Sequence, residues 1–152
     1  MHVGIGTVIN KKQIDLAYEL GVDFIVTPGL TYNMVNILDK RSDTEIPIVP
    51  GVSTVSEIMF GIECGINIFK LFPAEILGGT TYLNSLSSLF PQMKFCPTGG
   101  ISSDNYLDYL ALKNVLCVGG SWITPKSYVE QKRWDKITKL VKKFAKFQKD
   151  GK

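Results

Sequence analysis

The sequence contains no apolar stretch that approaches the roughly 18 residues needed to cross a bilayer. Its first ten residues, "MHVGIGTVIN", lack the basic-then-apolar layout of a signal peptide. We therefore expect neither export nor a membrane as a partner.

Histidine and cysteine are also scarce. His2 is the only histidine, which argues against a catalytic histidine dyad or a histidine-based metal site. Cys64, Cys96 and Cys117 are odd in number and show no metal-ligand spacing. We interpret them as reduced thiols of a cytoplasmic protein, the last two inside strands, and predict no metal.

Two nucleotide-binding patterns are absent. The stretch "GIGTVI" (4–9) is not a dinucleotide fingerprint, because Ile9 stands where the last glycine is needed. No phosphate-binding P-loop pattern occurs either.

The net charge of +3 is unevenly distributed, with +7 from Lys132 onward and −4 before it. A basic tail could bind nucleic acid or an anionic membrane. However, apolar residues recur in it at helical spacing: Trp134, Ile137, Leu140, Val141, Phe144 and Phe147. We favour a last helix that docks on the core with a solvated lysine face, and nucleic acid is not predicted as a partner.

The rest of the chain alternates β-rich runs with helical patterns, which predicts one domain over 1–152. Strands are predicted at 2–8, 23–29, 46–51, 67–73, 94–100 and 115–121. Helices are predicted near 11–20, 31–40, 54–63, 79–89, 103–111 and 133–148. The expected N-caps are Thr31, Ser53 or Thr54, and Ser102 or Ser103.

Uniformly apolar strands favour a parallel sheet covered on both faces. A run of six βα units fits either a doubly wound sheet or a (β/α)8 barrel. Polar residues at the strand ends favour the barrel, whose active sites lie there. A barrel needs eight units, so we expect either an open six-unit sheet or a barrel without its first two units.

Lys70 interrupts the apolar strand "NIFKLFP" (67–73). Strand parity places it on the same face as Ile68 and Phe72. If that face is the barrel interior, partial loss of hydration favours a neutral amine that can attack a carbonyl and form a Schiff base. The structural alternative is a lysine that snorkels out of the barrel mouth or pairs with a buried carboxylate.

Two successive glycine-rich strand ends, "PTGGIS" (97–102) and "VGGSWI" (118–123), suggest a phosphate site. Barrels commonly bind a phosphate in the loops after the last two strands. Ser121 would add a hydroxyl donor. The alternative is that the glycine pairs only make tight turns.

Two glutamates have less specific interpretations. Glu75, in "FPAE", could reach the barrel mouth, but we favour a structural role in which it caps a turn or pairs with a neighbouring loop. Glu57 lies on a predicted helix and is interpreted as a solvated or interface residue.

Long ordered segments of the chain resemble the class I 2-keto-3-deoxy-6-phosphogluconate (KDPG) aldolases, also called 4-hydroxy-2-oxoglutarate (KHG) aldolases. They are "VGIGTVIN", "TPGL", "PIVPGVSTVSEIMFGIECGINIFKLFPAE", "GG", "KFCPTGGIS", "NYLDYLALKNVLCVGGSW" and "ITKL". The resemblance runs from about residue 3 to about residue 141.

The resemblance implies a (β/α)8 barrel that assembles as a homotrimer, with Lys70 as the Schiff-base lysine. Thr7 and Thr98 resemble contacts to the pyruvyl group, while Pro28 and Phe72 resemble pocket walls. The implied phosphate site is Gly99, Gly100, Gly120 and Ser121. The implied reaction cleaves KDPG to pyruvate and glyceraldehyde 3-phosphate, or KHG to pyruvate and glyoxylate, without a cofactor.

One departure from the family is expected to matter. Its proton-transferring glutamate and substrate-binding arginine lie upstream of "GTV", and this chain has no such segment. We therefore expect an N-terminally truncated barrel of about six βα units. General acid–base help is worth about 10²–10⁴-fold, so the alternative is an impaired remnant that binds pyruvate or phosphate without turnover.

Overall fold

The structure, a computed structural model, describes residues 2–39 and 46–145. The chain forms two compact units, Met1–Gly119 and Gly120–Lys152. The organisation of 1–152 as one domain stays a prediction. The ends of two predicted helices, at Lys40 and at 146–148 with Phe147, lie outside the described residues.

Parallel strands alternate with helices in the first unit, as predicted. The strands are β1 (Gly4–Ile5), β2 (Phe24–Val26), β3 (Ile48–Val49), β4 (Gly51–Val52), β5 (Ile68–Leu71) and β6 (Lys94–Pro97). All named pairs are parallel, in the orders β1-β2-β3 and β4-β5-β6. The sixth predicted strand forms only two parallel bridges to the β6 region, Phe95↔Val115 and Thr98↔Gly119.

Pro50 divides the third predicted strand into β3 and β4, because proline has no backbone N–H to donate to a ladder. Its carbonyl still accepts a hydrogen bond from the N–H of Lys70 at 2.8 Å. Segment 48–52 thus pairs with β2 through β3 and with β5 through β4. Strand order therefore follows chain order across both sheets.

This sequential order argues against one of the two predicted α/β arrangements, the doubly wound sheet. A doubly wound sheet reverses its strand order at a switch point. The strands that the structure describes show no reversal. The order is that of a barrel-type arrangement.

The helices of the first unit lie close to their predicted positions. They are α1 (Lys11–Leu20), α2 (Tyr32–Asp39), α3 (Val55–Glu63), α4 (Gly79–Leu89) and α5 (Tyr106–Leu110). Thr54 and not Ser53 caps α3, and Glu57 completes a capping box by accepting from the Thr54 N–H at 2.9 Å. Glu57 therefore has a defined structural role, more specific than the predicted solvated position.

The start of α5 differs from the predicted residue 103. The Ser102 N–H donates to Asn105 Oδ1 at 2.8 Å, and the Asp104 N–H donates to Ser102 Oγ at 3.2 Å. These bonds close a turn before the helix, so neither Ser102 nor Ser103 acts as the N-cap.

The core between α3 and β5 fixes the orientation of the central strand. Phe69 and Leu71 of β5 and Phe95 of β6 are fully buried, and the two phenylalanine rings lie 6.1 Å apart. Gly61 of α3 packs against the Phe69 ring so closely that a Cβ on Gly61 would overlap it. Phe69 and Leu71 therefore face the helix, and Ile68 and Lys70 face the opposite side.

The second unit contains a 3-10 helix (Ser121–Ile123), α6 (Lys126–Glu130) and α7 (Trp134–Phe144). The rings of Trp122 and Phe144 meet edge to face at 6.1 Å. Trp134 is 56% exposed. Docking of the last helix on the core stays a prediction. Across the described residues, no helix has the length and apolar composition needed to span a bilayer.

Gly61→Ala is expected to lower the free energy of unfolding by about 1–3 kcal/mol, because overpacking of a close-packed core costs about that much. This loss opposes the roughly 1 kcal/mol by which alanine is favoured over glycine inside a helix. Urea unfolding followed by circular dichroism measures the change.

Ser56→Ala, at an exposed position of the same helix, is the matched control and should change stability by less than about 0.5 kcal/mol. A Gly61→Ala protein at least as stable as the Ser56→Ala protein would contradict the close packing of α3 on β5.

Candidate active site

Lys70 lies near the carboxyl end of β5, directly opposite Gly51 of β4 and Cys96 of β6. It is half-buried. Its Nζ lies 4.9 Å from the centroid of the Phe72 ring, a cation–π distance. We call the side of β5 and β6 that carries Ile68, Lys70 and Cys96 the lysine face.

Pro28 lies in the turn after β2 and packs against Gly51 of β4. The Pro28 carbonyl fills the space that a side chain at Gly51 would occupy, so only a residue without Cβ fits there. Because Gly51 pairs with Lys70, the structure places Pro28 one strand away from the lysine. The neighbouring Thr27 is buried and donates from Oγ1 to the Gly29 carbonyl at 2.6 Å, which fixes the turn.

Thr98 lies just beyond the end of β6. Its N–H donates to the Leu71 carbonyl at 2.9 Å, and its carbonyl accepts from the Ala74 N–H at 2.9 Å. Its hydroxyl donates to the Cys96 carbonyl at 3.3 Å. These bonds hold Thr98 beside the turn that follows Lys70.

Thr7, after β1, has an unusual backbone. Its φ of 60° lies in the left-handed region, which a β-branched residue rarely adopts. The next residue, Val8, is buried and its N–H donates to the Val26 carbonyl at 3.2 Å, so the surrounding structure enforces the conformation. Such strain costs about 1–3 kcal/mol and concentrates at functional sites.

The turn after Thr98 contains two glycines in left-handed conformations, Gly99 with φ 90° and Gly100 with φ 84°. A Cβ on Gly99 would come within 3.0 Å of the Phe72 ring, and one on Gly100 would overlap the side chain of Glu75. The Gly99 carbonyl accepts from the Glu75 N–H at 3.1 Å. The glycine turn is therefore packed on the segment that follows Lys70.

Glu75 bridges this turn and α5. Its carboxylate accepts hydrogen bonds from the Tyr109 hydroxyl and, at 3.3 Å, from Asn105 Nδ2. Asn105 Nδ2 also donates to the Gly100 carbonyl at 3.0 Å. Burial and the bond to Glu75 both raise the pKa of Tyr109. Glu75 thus pairs with a neighbouring loop, which confirms the structural interpretation favoured from the sequence.

Three further residues, His2, Gly120 and Ser121, belong to other parts of the sequence. His2 is exposed and its Nδ1 lies 3.6 Å from Asp23 Oδ1, before the start of β2, whereas the site lies at the carboxyl ends of the strands. Gly120 and Ser121 belong to the second unit, where Gly120 precedes the 3-10 helix that Ser121 begins. Among residues 2–39 and 46–145, no three His, Cys, Asp or Glu side chains come together as metal ligands would.

The geometry also reveals residues that sequence reasoning missed. Tyr109 and Asn105 are the partners of Glu75, and their contacts span 34 and 30 residues of sequence. Cys96 and Cys117, interpreted only as reduced strand residues, share a thiol hydrogen bond beside Lys70. Alternation within "KFCP" puts Cys96 on the face opposite Phe95, and pairing of two buried phenylalanines, Phe69 with Phe95, puts Cys96 on the lysine face.

A sequence model of the "KDPG and KHG aldolase" family matches residues 1–140. The KHG/KDPG aldolase of Escherichia coli is 49% identical over 140 residues, which cover 92% of this chain and 64% of that protein. The chain therefore spans less than two thirds of the length of this relative.

Two solved structures are also similar. The KDPG aldolase of Legionella pneumophila, with pyruvate captured as a covalent carbinolamine intermediate, gives a TM-score of 0.84 at 47% identity and covers 90% of this chain and 65% of its own. The KDPG aldolase of Zymomonas mobilis with 3-phosphoglycerate gives 0.86 at 40% identity, with coverages of 97% and 68%. By sequence and by fold, the chain belongs to the KDPG and KHG aldolase family.

Proposed function

We propose that this chain provides the Schiff-base chemistry of an aldolase that cleaves KDPG to pyruvate and glyceraldehyde 3-phosphate, and KHG to pyruvate and glyoxylate. The observation that carries the proposal is the position of Lys70. Its half-buried amino group lies on the lysine face, near the carboxyl end of a central strand and beside Phe72 and Thr98. This is the end of the strands at which barrel enzymes bind substrate.

The surroundings of Lys70 suit a nucleophilic amine. The Phe72 ring covers one side of Nζ and keeps water from that side, where a substrate carbonyl could approach the amine. The amine adds to the keto carbon to form a carbinolamine, which loses water to give an iminium. The hydroxyl on the departing carbon loses its proton to solvent and becomes the aldehyde carbonyl, while the iminium accepts the electron pair of the breaking carbon–carbon bond. The resulting enamine takes a proton from solvent at carbon and is hydrolysed to pyruvate.

The relatives support the covalent step and the phosphate. The 47% identical Legionella enzyme was solved with pyruvate as a covalent carbinolamine. The Zymomonas enzyme was solved with 3-phosphoglycerate, which carries a phosphate on a three-carbon chain. We assign the pyruvyl contacts of this chain to Thr7 and Thr98, and the pocket walls to Pro28 and Phe72.

We place the phosphate at the glycine turn, Gly99 and Gly100, because two residues without side chains let a backbone approach an anion closely. That Gly120 and Ser121 contribute to the same phosphate site remains a prediction from the sequence. The mechanism uses no metal or organic cofactor, because the iminium itself is the electron sink.

The strand order also bears on the complete fold. We propose that the parallel strands in chain order are an arc of a (β/α)8 barrel, of which this chain supplies about six βα units. The homotrimer, like the cytoplasmic location inferred from reduced cysteines, stays a prediction.

Lys70→Met is expected to abolish covalent trapping of pyruvate by sodium borohydride, since the variant has no amine to form the iminium. Intact-protein mass spectrometry counts adducts, and peptide mapping locates them. The wild-type chain should carry one reduced adduct, on the peptide that contains Lys70.

Lys94→Met is the matched control, because Lys94 is also a half-buried strand lysine but its Nζ donates to the Lys113 carbonyl at 3.0 Å. It should trap like the wild type. An adduct that survives in Lys70→Met would overturn the assignment of the nucleophile. Trapping without cleavage of KDPG or KHG by the same protein would replace the proposal with the alternative of a pyruvate-binding remnant.

Thr98→Val should raise the pyruvate concentration needed for half-maximal trapping by roughly 10-fold or more, because a hydrogen bond to a charged group is worth about 1.5–3 kcal/mol. Thr98→Ser keeps the hydroxyl and should remain within about 3-fold of the wild type by the same reasoning. Equal behaviour of the two variants would remove Thr98 from the binding site.

A further inference from the structure

Two free thiols lie next to each other beside Lys70. Cys96 is half-buried on β6, in register with Lys70, and Cys117 is exposed on the segment 115–119 that bridges to β6. The proposed aldol reaction uses neither sulfur.

Regular strand pairing would keep the two side chains on opposite faces. Phe95 bridges Val115, so strict alternation would place Cys117 on the buried side with Phe95. The next bridge joins Thr98 to Gly119. Between the two bridges lie residues 96 and 97 on the β6 side but residues 116, 117 and 118 on the other side, so the second segment has one extra residue.

The hydrogen bonds locate this extra residue. The Leu116 N–H donates to the Phe95 carbonyl at 2.9 Å, and the Gly119 N–H donates to the Pro97 carbonyl at 3.0 Å. Residues 117 and 118 therefore lie in a β-bulge. Bulges redirect side chains and are over-represented next to active sites. Here the bulge turns Cys117 toward Cys96.

The two sulfurs share a hydrogen bond in which the Cys96 thiol donates to Cys117. This bond lowers the pKa of Cys117 to about 7. The same bond, together with burial, raises the pKa of Cys96, while the nearby Lys70 opposes that change. Cys117 is also the more exposed of the two thiols. Its exposure and its lowered pKa both favour Cys117 as the sulfur that reacts first.

We propose that Cys96 and Cys117 form a redox-sensitive dithiol site, which a hydroperoxide oxidises to an intramolecular disulfide beside Lys70. The Cys117 thiolate attacks the peroxide, its sulfur becomes a sulfenic acid, and the second peroxide oxygen takes from solvent the proton that Cys117 had released and leaves as an alcohol or water. The Cys96 sulfur then attacks the sulfenic sulfur, forms the S–S bond and releases water, with its proton completing that water. Two electrons pass from the two thiols to one peroxide, and an external dithiol reverses the reaction.

Neighbouring strands lie about 4.7–4.9 Å apart, within the roughly 4.4–6.8 Å between Cα atoms that a disulfide accepts. The disulfide would join the bulge covalently to β6 at Cys96, the residue in register with Lys70. We therefore expect oxidation to reduce pyruvate trapping by Lys70. This consequence, unlike the disulfide itself, rests on the proposed function.

The test treats the full chain with a small excess of hydrogen peroxide, blocks remaining thiols with iodoacetamide and maps peptides without reduction. Wild type and Cys64→Ala should give one crosslink, between the Cys96 and Cys117 peptides, that dithiothreitol removes. Cys96→Ala and Cys117→Ala should give none, and pyruvate trapping should fall on oxidation only in the two proteins that crosslink.

Over-oxidised cysteines without a crosslink, or a crosslink through Cys64, would overturn the site. A crosslink with unchanged trapping would overturn its coupling to Lys70. If the reduced wild type traps no pyruvate while the crosslink forms, the proposed function fails and the dithiol site stands.

The pH dependence of alkylation checks the pair without oxidation. In wild type, the rate at Cys117 should rise with a midpoint near pH 7, because the thiolate is the reactive form. Cys96→Ala removes the donor and should move the midpoint up toward the ordinary value of about 8.5. An unchanged midpoint, with the fold verified by circular dichroism, would contradict the thiol hydrogen bond.

Discussion

The packing of the Phe69 ring on the bare backbone of Gly61 determines which face of β5 is turned toward the helices. Side chains alternate along a strand, so this one contact also decides where Lys70 points. A register slip of one residue would expose Phe69 and force Lys70 into the core, where an unpaired ammonium is very costly. The orientation of the candidate nucleophile therefore follows from burial of its apolar neighbour.

Parallel pairing carries that orientation to the neighbouring strands. Gly51 and Cys96 flank Lys70 in register, and the carbonyl of Pro50 holds the Lys70 N–H at 2.8 Å. The turns that follow these strands hold Pro28 against Gly51 and Thr98 beside Leu71, and the Phe72 ring lies 4.9 Å from the lysine Nζ. A site built in this way depends on strand positions and needs few direct contacts among its own side chains.

The sequence was sufficient for features that depend on local pattern. Apolar runs and helical periodicity located most of the elements, and alternation within "NIFKLFP" placed Lys70 on the same face as Ile68 and Phe72. Features that depend on contacts distant in sequence could not be found in this way. The split at Pro50 arises because one segment pairs with two different strands, and the late start of α5 arises from a turn closed by side chains. The bulge at Cys117 is set by the pairing of two segments about twenty residues apart, which no periodicity within either segment records.

Glu75 lies between two glycines that are distant in the chain. A Cβ on Gly100 would overlap its side chain, and one on Gly79 would come within 3.3 Å of its Oε1 and 3.0 Å of the Tyr109 hydroxyl. The carboxylate thus acts as a spacer that sets the separation between the start of α4 and the turn after β6. Both glycines also have a positive φ, 58° at Gly79 and 84° at Gly100, so a larger residue at either position is strained whatever stands at 75. A change at 75 consequently reaches two backbone turns at once, one of them the turn proposed to bind phosphate.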